Sequence, residues 1–303
     1  MIVVAIPDLD RFGDAPEGLP PLLRKLMARA ERRELQSDGW ASELVTGRPL
    51  PVAPLTRLLD APDDSEGCWL RADPIRLQPD LNAVWVSPGA RLQQDHPLVA
   101  EFSSGLSESG LAFDLPHPER GYVRLDSLPD CEFVPPDKII GQSLDFVLPS
   151  GPDGALWQRL LNDCQMIAHQ HAFTGDAGGP GGLWFWGGGT LPPSDQIAAR
   201  VQHLYGVDPL WSALARWLNL SHDDSTPISL NGLPDSSLVE WHPASGPDAR
   251  SAMEALDDWL RPLWRRLRTG GLDALAIASR SHVWRLNAVA AWQVWRRSPE
   301  TWR

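Results

Sequence analysis

The chain has 303 residues, 43% hydrophobic and 22% charged, with a formal net charge of −12. That size and balance suit a soluble globular protein with a large core, and the acidic excess argues against general nucleic-acid binding. No apolar run reaches the roughly 18 residues of a membrane span. The N-terminus lacks a signal peptide's basic and long apolar regions, and Cys68, Cys131 and Cys164 lack metal-ligand spacing, as expected of reduced thiols in a cytoplasmic protein.

Residues 2–6 read as a first buried strand, and Leu19 to Arg33 as a helix whose apolar positions Leu22, Leu23, Leu26, Met27 and Ala30 recur at helical spacing. Pro49 to Pro62 reads as a proline-bearing connector. Strands are expected from Trp69 to Ile75 and from Ala83 to Val86, a helix from Leu98 to Leu111, and short strands and turns over 112–150. The helix Gly154 to His171 puts Trp157, Leu160, Leu161, Cys164, Ile167, Ala168 and His171 on one face, and the strand Leu183-Trp184-Phe185-Trp186 follows. The later pattern is a strand or helix over 196–205, a helix from Pro209 to Leu218 and a strand from Leu238 to Trp241. A long helix from Ala249 to Arg268 and a strand from Leu272 to Ala278 complete it. Alternating strands and helices point to a parallel sheet covered on both faces. The charge is uneven: Arg261 to Arg303 holds nine arginines against Asp273 and Glu300, with Trp284, Trp292, Trp295 and Trp302 among them. Such a tail either docks a partner or anion or packs on its own domain.

Gly187-Gly188-Gly189 follows an aromatic strand, and without Cβ atoms its N–H groups can approach a phosphate closely or simply turn the chain. It lacks the lysine and Ser/Thr of a P-loop. His169 and His171, two apart on a helix, point away from each other and cannot share a metal; packing or capping is the plainer role. Asp8 follows the first strand at its carboxyl end, where open α/β sheets place ligands; with Asp10 and Asp14 close behind it either offers oxygens to a hard divalent ion or is one of a set of solvated loop acids, the plainer role.

Three blocks carry a resemblance: Gly67-Cys68-Trp69-Leu70-Arg71-Ala72-Asp73-Pro74, Ile140-Gly141-Gln142-Ser143-Leu144-Asp145, and Gln165-Met166 through His169-Gln170-His171 to Leu183–Gly189. They are similar to signatures of a proteobacterial group of RpfE-type regulatory, or phosphoglycerate-mutase-like, proteins. The order of segments resembles the archaeal-type cofactor-independent phosphoglycerate mutases of the alkaline-phosphatase superfamily. Together with the alternating pattern, this implies an α/β fold with a mostly parallel sheet between helix layers and an alkaline-phosphatase-like core. The expected organisation is a single domain over 1–303, with 75–145 a candidate inserted cap subdomain.

The resemblance also implies roles. Asp8, His242 and His282 fall at metal positions, Ser37 near the nucleophile, and Arg71, His171 and Gly187–Gly189 in the substrate region. The chain departs from the family at several places. Leu9 stands for a glycine, Asp73-Pro74 for Asn-Phe, and Ser281-His282 for Asp-His. The segment His171–Ala177 lacks the family's amide and arginine, and the stretch His242–Pro247 lacks its further ligands. A two-metal site without half its ligands cannot hold both the attacking and the leaving oxygen. The expectation is therefore a non-catalytic cytoplasmic regulatory or partner-binding protein, linked by the family label to cell–cell signalling or virulence. It would use no cofactor and no nucleic acid or membrane, and would bind a protein partner or a small phosphorylated ligand. The alternative is a divergent mutase or phosphomonoesterase using Mn or Zn, with Ser37 as nucleophile, Asp8 and His282 on metal, and Arg71 with the 187–189 amides on phosphate. A third is a simple anion or metabolite sensor.

Overall fold

The computed structural model describes residues 1–11, 19–80, 84–139, 142–172, 180–242 and 249–293. The chain divides into two compact units, Met1–Leu50 with Pro193–Arg303, and Pro51–Pro192.

The first unit begins with β1 (Ile2–Ala5), α1 (Pro21–Arg29), β2 (Glu31–Glu34) and α2 (Trp40–Thr46). The second unit runs through α3 (Val52–Asp60), β3 (Cys68–Pro79), β4 (Val84–Ser87), α4 (Pro97–Ser107), β5 (Ala112–His117), β6 (Arg120–Leu125), α5 (Pro136–Ile139), α6 (Gly154–Ala172) and β7 (Gly182–Gly189). The first unit then resumes with β8 (His203–Tyr205), α7 (Pro209–Leu218), β9 (Ser221–Asp223), β10 (Ser237–Glu240), α8 (Ala249–Arg268), β11 (Ala274–Ala278) and β12 (His282–Asn287).

The expected mostly parallel sheet is not what forms. The first unit holds a seven-stranded mixed sheet in the order β2-β12-β11-β1-β10-β8-β9, in which β11–β12 and β12–β2 are antiparallel. The second unit holds a separate sheet in which β3 pairs with β4, β6 and β7, and β5 with β6, all antiparallel. Parallel pairing is confined to β1, β8, β9, β10 and β11. The reason lies in the connections. A short turn after Ala278 sends β12 straight back along β11, as only an antiparallel partner can.

Ile2 and Val4 of β1, with Leu275 and Ile277 of β11, bury one face of the mixed sheet against Leu22, Leu23 and Leu26 of α1 and Leu256, Leu260 and Leu263 of α8. Asp257 of α8 accepts from the N–H groups of Leu22 and Leu23 at 2.8 and 3.0 Å, satisfying donors that the first turn of α1 leaves open. Helix α1 stops at Arg29, short of the expected Arg33, because Glu31-Arg32-Arg33-Glu34 offers no apolar stripe. It runs instead as a fully exposed edge strand whose charges discourage further pairing. On the other face Trp40 of α2 meets Trp211 of α7 edge-on, with ring centroids 5.3 Å apart.

In the second unit Leu70 and Ala72 of β3 face a core with Leu98 and Phe102 of α4 and Trp157, Leu160 and Cys164 of α6. The alternate residues Trp69, Arg71 and Asp73 take the opposite side, as the two-residue period of a strand requires. The stretch expected as a connector is helix α3: Pro51 caps it and Pro54 sits in its first turn, where a missing N–H costs nothing. Pro74 is likewise tolerated inside β3. Pairing with β6 ends at Arg71 and pairing with β4 starts at Arg76, so the proline falls where that edge has no partner. Among the described residues no helix is long and apolar enough to cross a membrane.

Candidate functional site

The LWFW-glycine block lies beside Arg71, as β7 pairs with β3: Arg71 faces Trp186 and Trp69 faces Gly189. The glycines do not open a cradle. A Cβ on Gly187 (φ +65°) would stand 3.1 Å from Val52 Cβ, and one on Gly189 (φ +150°) 2.7 Å from Pro51 Cβ. A Cβ on Gly188 would meet Leu70 and Leu128 at 2.7 and 2.9 Å. The space left by the missing side chains is filled by the start of α3 and by two leucines, so the run lets a helix approach the sheet.

Arg71 is buried, and each of its three guanidinium nitrogens holds one bond. Its Nε and Nη2 donate to the two oxygens of Asp73, both at 2.8 Å, and its Nη1 donates to Thr56 Oγ1 at 3.1 Å. Trp186 Nε1 donates to Asp73 Oδ2 at 2.7 Å, and Arg71 lies 5.2 Å from the Trp186 ring centroid. Burial pushes the Asp73 carboxyl up, against the pull of Arg71 and Trp186. The same side carries a wider network. Arg57 stacks 4.2 Å above Trp69 and donates to Asp114 at 2.5 Å and Asp64 at 3.1 Å. Asp60 takes two bonds from Arg120 and one from the Tyr122 hydroxyl, each 2.6 Å. Burial works against the Asp60 carboxylate, but Arg120 and Tyr122 outweigh it and hold its pKa below the usual value. His171, in the last turn of α6, is elsewhere occupied: its Nδ1 lies 3.1 Å from Glu101 Oε1 and its ring meets His96 edge-on at 5.2 Å.

In the first unit the parallel strands aim Asp8, Asp208, Glu240 and His242 beyond their carboxyl ends, where such sheets hold ligands. Glu240 Oε2 accepts from the N–H groups of Val207 and Asp208 at 3.0 and 3.1 Å, and its Oε1 lies 3.1 Å from His242 Nε2. Glu240 raises the pKa of His242 against the effect of burial, with Asp8 and Asp208 adding to the rise. Burial pushes the Asp208 carboxyl up, although it caps α7 through Leu210 N–H at 2.9 Å.

Along the same edge, Ser281 Oγ donates to Asp10 Oδ2 at 2.9 Å and lies 2.7 Å from His282 Nδ1. A hydroxyl has one proton, so with that proton on Asp10 the ring N–H of His282 is the donor, leaving Nε2 with its lone pair. Burial lowers the His282 pKa, favouring the neutral ring. Of the residues expected at metal positions, the structure brings Asp8 within electrostatic reach of His242 and ties His282 to Ser281 and Asp10. Among the described residues no three His, Cys, Asp or Glu side chains gather as a metal-holding group. The side chain of Ser37 lies outside the described residues, as do Asp14, Ile140-Gly141, the segments 173–179 and 243–248, and 294–303 of the arginine and tryptophan tail.

Sequence reasoning missed Thr56, Asp60, Asp73, Tyr122 and Trp186 as partners of the arginines, and Glu240 as partner of His242. One signal was present: Arg71 and Asp73 are two apart on a strand and so must share a face.

No protein-family model and no curated protein matches the chain. Among solved structures it is similar to the cofactor-independent phosphoglycerate mutase from Thermoplasma acidophilum DSM 1728, with 16% identity and a TM-score of 0.40, covering 94% of this chain and 89% of that one. It is also similar to the PH0037 protein from Pyrococcus horikoshii, with 13% identity and a TM-score of 0.39, covering 94% of this chain and 87% of that one. Both likenesses are weak and distant.

Proposed function

We propose that the chain is a phosphomutase-like scaffold that acts by binding, as a cytoplasmic regulatory or partner-binding protein, and does not transfer phosphoryl groups. The observation that carries this reading is the state of Arg71. All three guanidinium nitrogens already hold intramolecular bonds, two to Asp73 and one to Thr56, in a buried setting. A substrate arginine must present an open edge to the phosphate, because bidentate recognition uses two parallel N–H groups. Here the Nε–Nη2 edge belongs to Asp73, and Nη1 is tied to Thr56. The adjacent glycines support the same reading, since their backbone is covered by Pro51, Val52, Leu70 and Leu128.

A second reading, a divergent metal-dependent mutase or phosphomonoesterase, is favoured by the Asp10–Ser281–His282 line and the Asp8–His242 pair at the carboxyl ends of the strands. One experiment separates the two. The full chain is assayed with p-nitrophenyl phosphate and with 3-phosphoglycerate, with and without Mn²⁺ or Zn²⁺. The binding reading expects no turnover above a blank. Metal-dependent turnover that Asp8→Ala or His282→Ala abolishes overturns it.

A further inference from the structure

A cavity of about 180 Å³ opens on the face of the mixed sheet opposite α1 and α8. It arises because this part of the sheet presents small residues: Val3 of β1, Ala276 of β11 and Val283 of β12 form an apolar floor, and Leu44 of α2 forms one wall. At a liquid-water share of about 30 Å³ per molecule, it has the room of about six waters. That suits a small metabolite with a compact apolar body.

The rim carries charge of both signs. Arg33 and Glu43 neutralise each other, and Glu43 Oε2 also accepts from the Gln36 N–H at 3.0 Å. The remaining charged side chains on the rim, Arg200, Arg285 and Glu31, have no ion-pair partner among the described residues, and Met1 lines the same cavity. Arg200 is nevertheless held in place. Its N–H donates to Val45 O at 2.7 Å, and its guanidinium lies over Gly47, where a Cβ would come within 2.1 Å of it. Arg285 and Glu31 are direct cross-strand neighbours on β12 and β2, and such neighbours have Cα atoms about 4.5–5.5 Å apart. Opposite charges are thus set side by side at the rim above an apolar floor.

The geometry points to a binding site for a free α-amino acid with a small aliphatic side chain. Its carboxylate would be received by Arg200 and Arg285, its ammonium by Glu31, and its side chain by Val3, Leu44, Ala276 and Val283. A simple anion would leave Glu31 opposing it, and an amine would leave two arginines opposing it. The zwitterion uses all three side-chain charges. This site lies on the sheet face and not among the carboxyl-end residues, so it stands or falls separately from the question of phosphoryl transfer.

Calorimetric titration of the full chain tests the assignment, with L-leucine and L-valine as probes and 4-methylpentanoate, isopentylamine and inorganic phosphate as comparisons. Saturable binding of leucine or valine is expected, weakened about tenfold or more by Arg285→Gln and by Glu31→Gln, as the loss of a charge-assisted bond implies. Both positions are exposed, so the unliganded melting temperature serves as the folding control. The assignment is overturned if neither amino acid binds at tens of millimolar. It is overturned equally if 4-methylpentanoate, isopentylamine or phosphate binds as tightly as leucine, or if both variants bind like the parent.

Discussion

Replacing Arg71 by methionine keeps most of the side chain's volume but removes the cation that faces Asp73. In the parent, Asp73 accepts two bonds from Arg71 and one from Trp186 within a buried network. After Arg71→Met only the Trp186 bond to Asp73 remains, and Thr56 Oγ1 loses the donor from Arg71 while still donating to the Val52 carbonyl at 3.0 Å. Breaking a buried pair from one side costs about 3–5 kcal/mol, because the remaining charge is left uncompensated. Against a typical total of about 5–15 kcal/mol, that is a large fraction of the stability. Adding Asp73→Asn removes the stranded charge while leaving an acceptor for Trp186, so the double variant should recover to a cost of about 1–2 kcal/mol. Urea unfolding followed by circular dichroism measures the difference, and amide exchange in β3 and β7 localises it to the second unit. An arginine held open for a ligand behaves differently, since surface substitutions usually stay within about 0.5 kcal/mol. If Arg71→Met changes stability that little while abolishing phosphate binding by the parent, then Arg71 is a substrate residue and the reasoning from its engaged edges is wrong.

Gly121→Ala should cost about 2–3 kcal/mol, since its Cβ would stand 2.2 Å from the backbone oxygen of Ala72 and 2.7 Å from the Phe113 ring; a neutral melting temperature would show that β6 can shift away. The His242–Glu240 pair gives a pH dependence of definite sign. His242 has its pKa raised by Glu240, so its contribution is complete below the ordinary histidine value of 6.5 and is lost as pH rises through the higher folded-state value. Burial lowers the pKa of His282, whose contribution is complete above 6.5 and lost as pH falls through its lowered value. Subtracting the stability profile of His242→Gln from that of the parent isolates the first effect, and identical profiles would remove it. Burial pushes the Cys164 thiol up to about 12, so a thiol reagent at neutral pH should modify it only after unfolding. Rapid modification of Cys164 in the native chain, located by peptide mapping, would contradict its place in the core.

The apolar pattern made several elements legible. The helix around Leu22–Met27, the amphipathic helix through Trp157–Ala168 and the alternating strand at Trp69–Asp73 all declare themselves by periodicity. The parts that were not legible fail for physical reasons. Prolines at 51 and 54 read as a linker, yet the first turn of a helix is the one helical position that tolerates them. Strand direction is a property of connections and not of residues, so β12, whose sequence looks like any strand, made the sheet mixed without a local sign. At the candidate site, the glycine run was visible but its neighbours were not. Whether a Cβ-free stretch faces a phosphate or a helix depends on what packs above it, and Pro51 and Val52 lie more than 130 residues away in sequence. Glycine runs signal close approach, without naming what approaches.

The packing of Pro51 onto Gly189 brings together the first and nearly the last residues of the second unit. The two ends of that segment are therefore neighbours within the second unit. Its removal asks only that two adjacent chain ends be rejoined, and the strand order of the mixed sheet, drawn wholly from outside 51–192, needs no rearrangement.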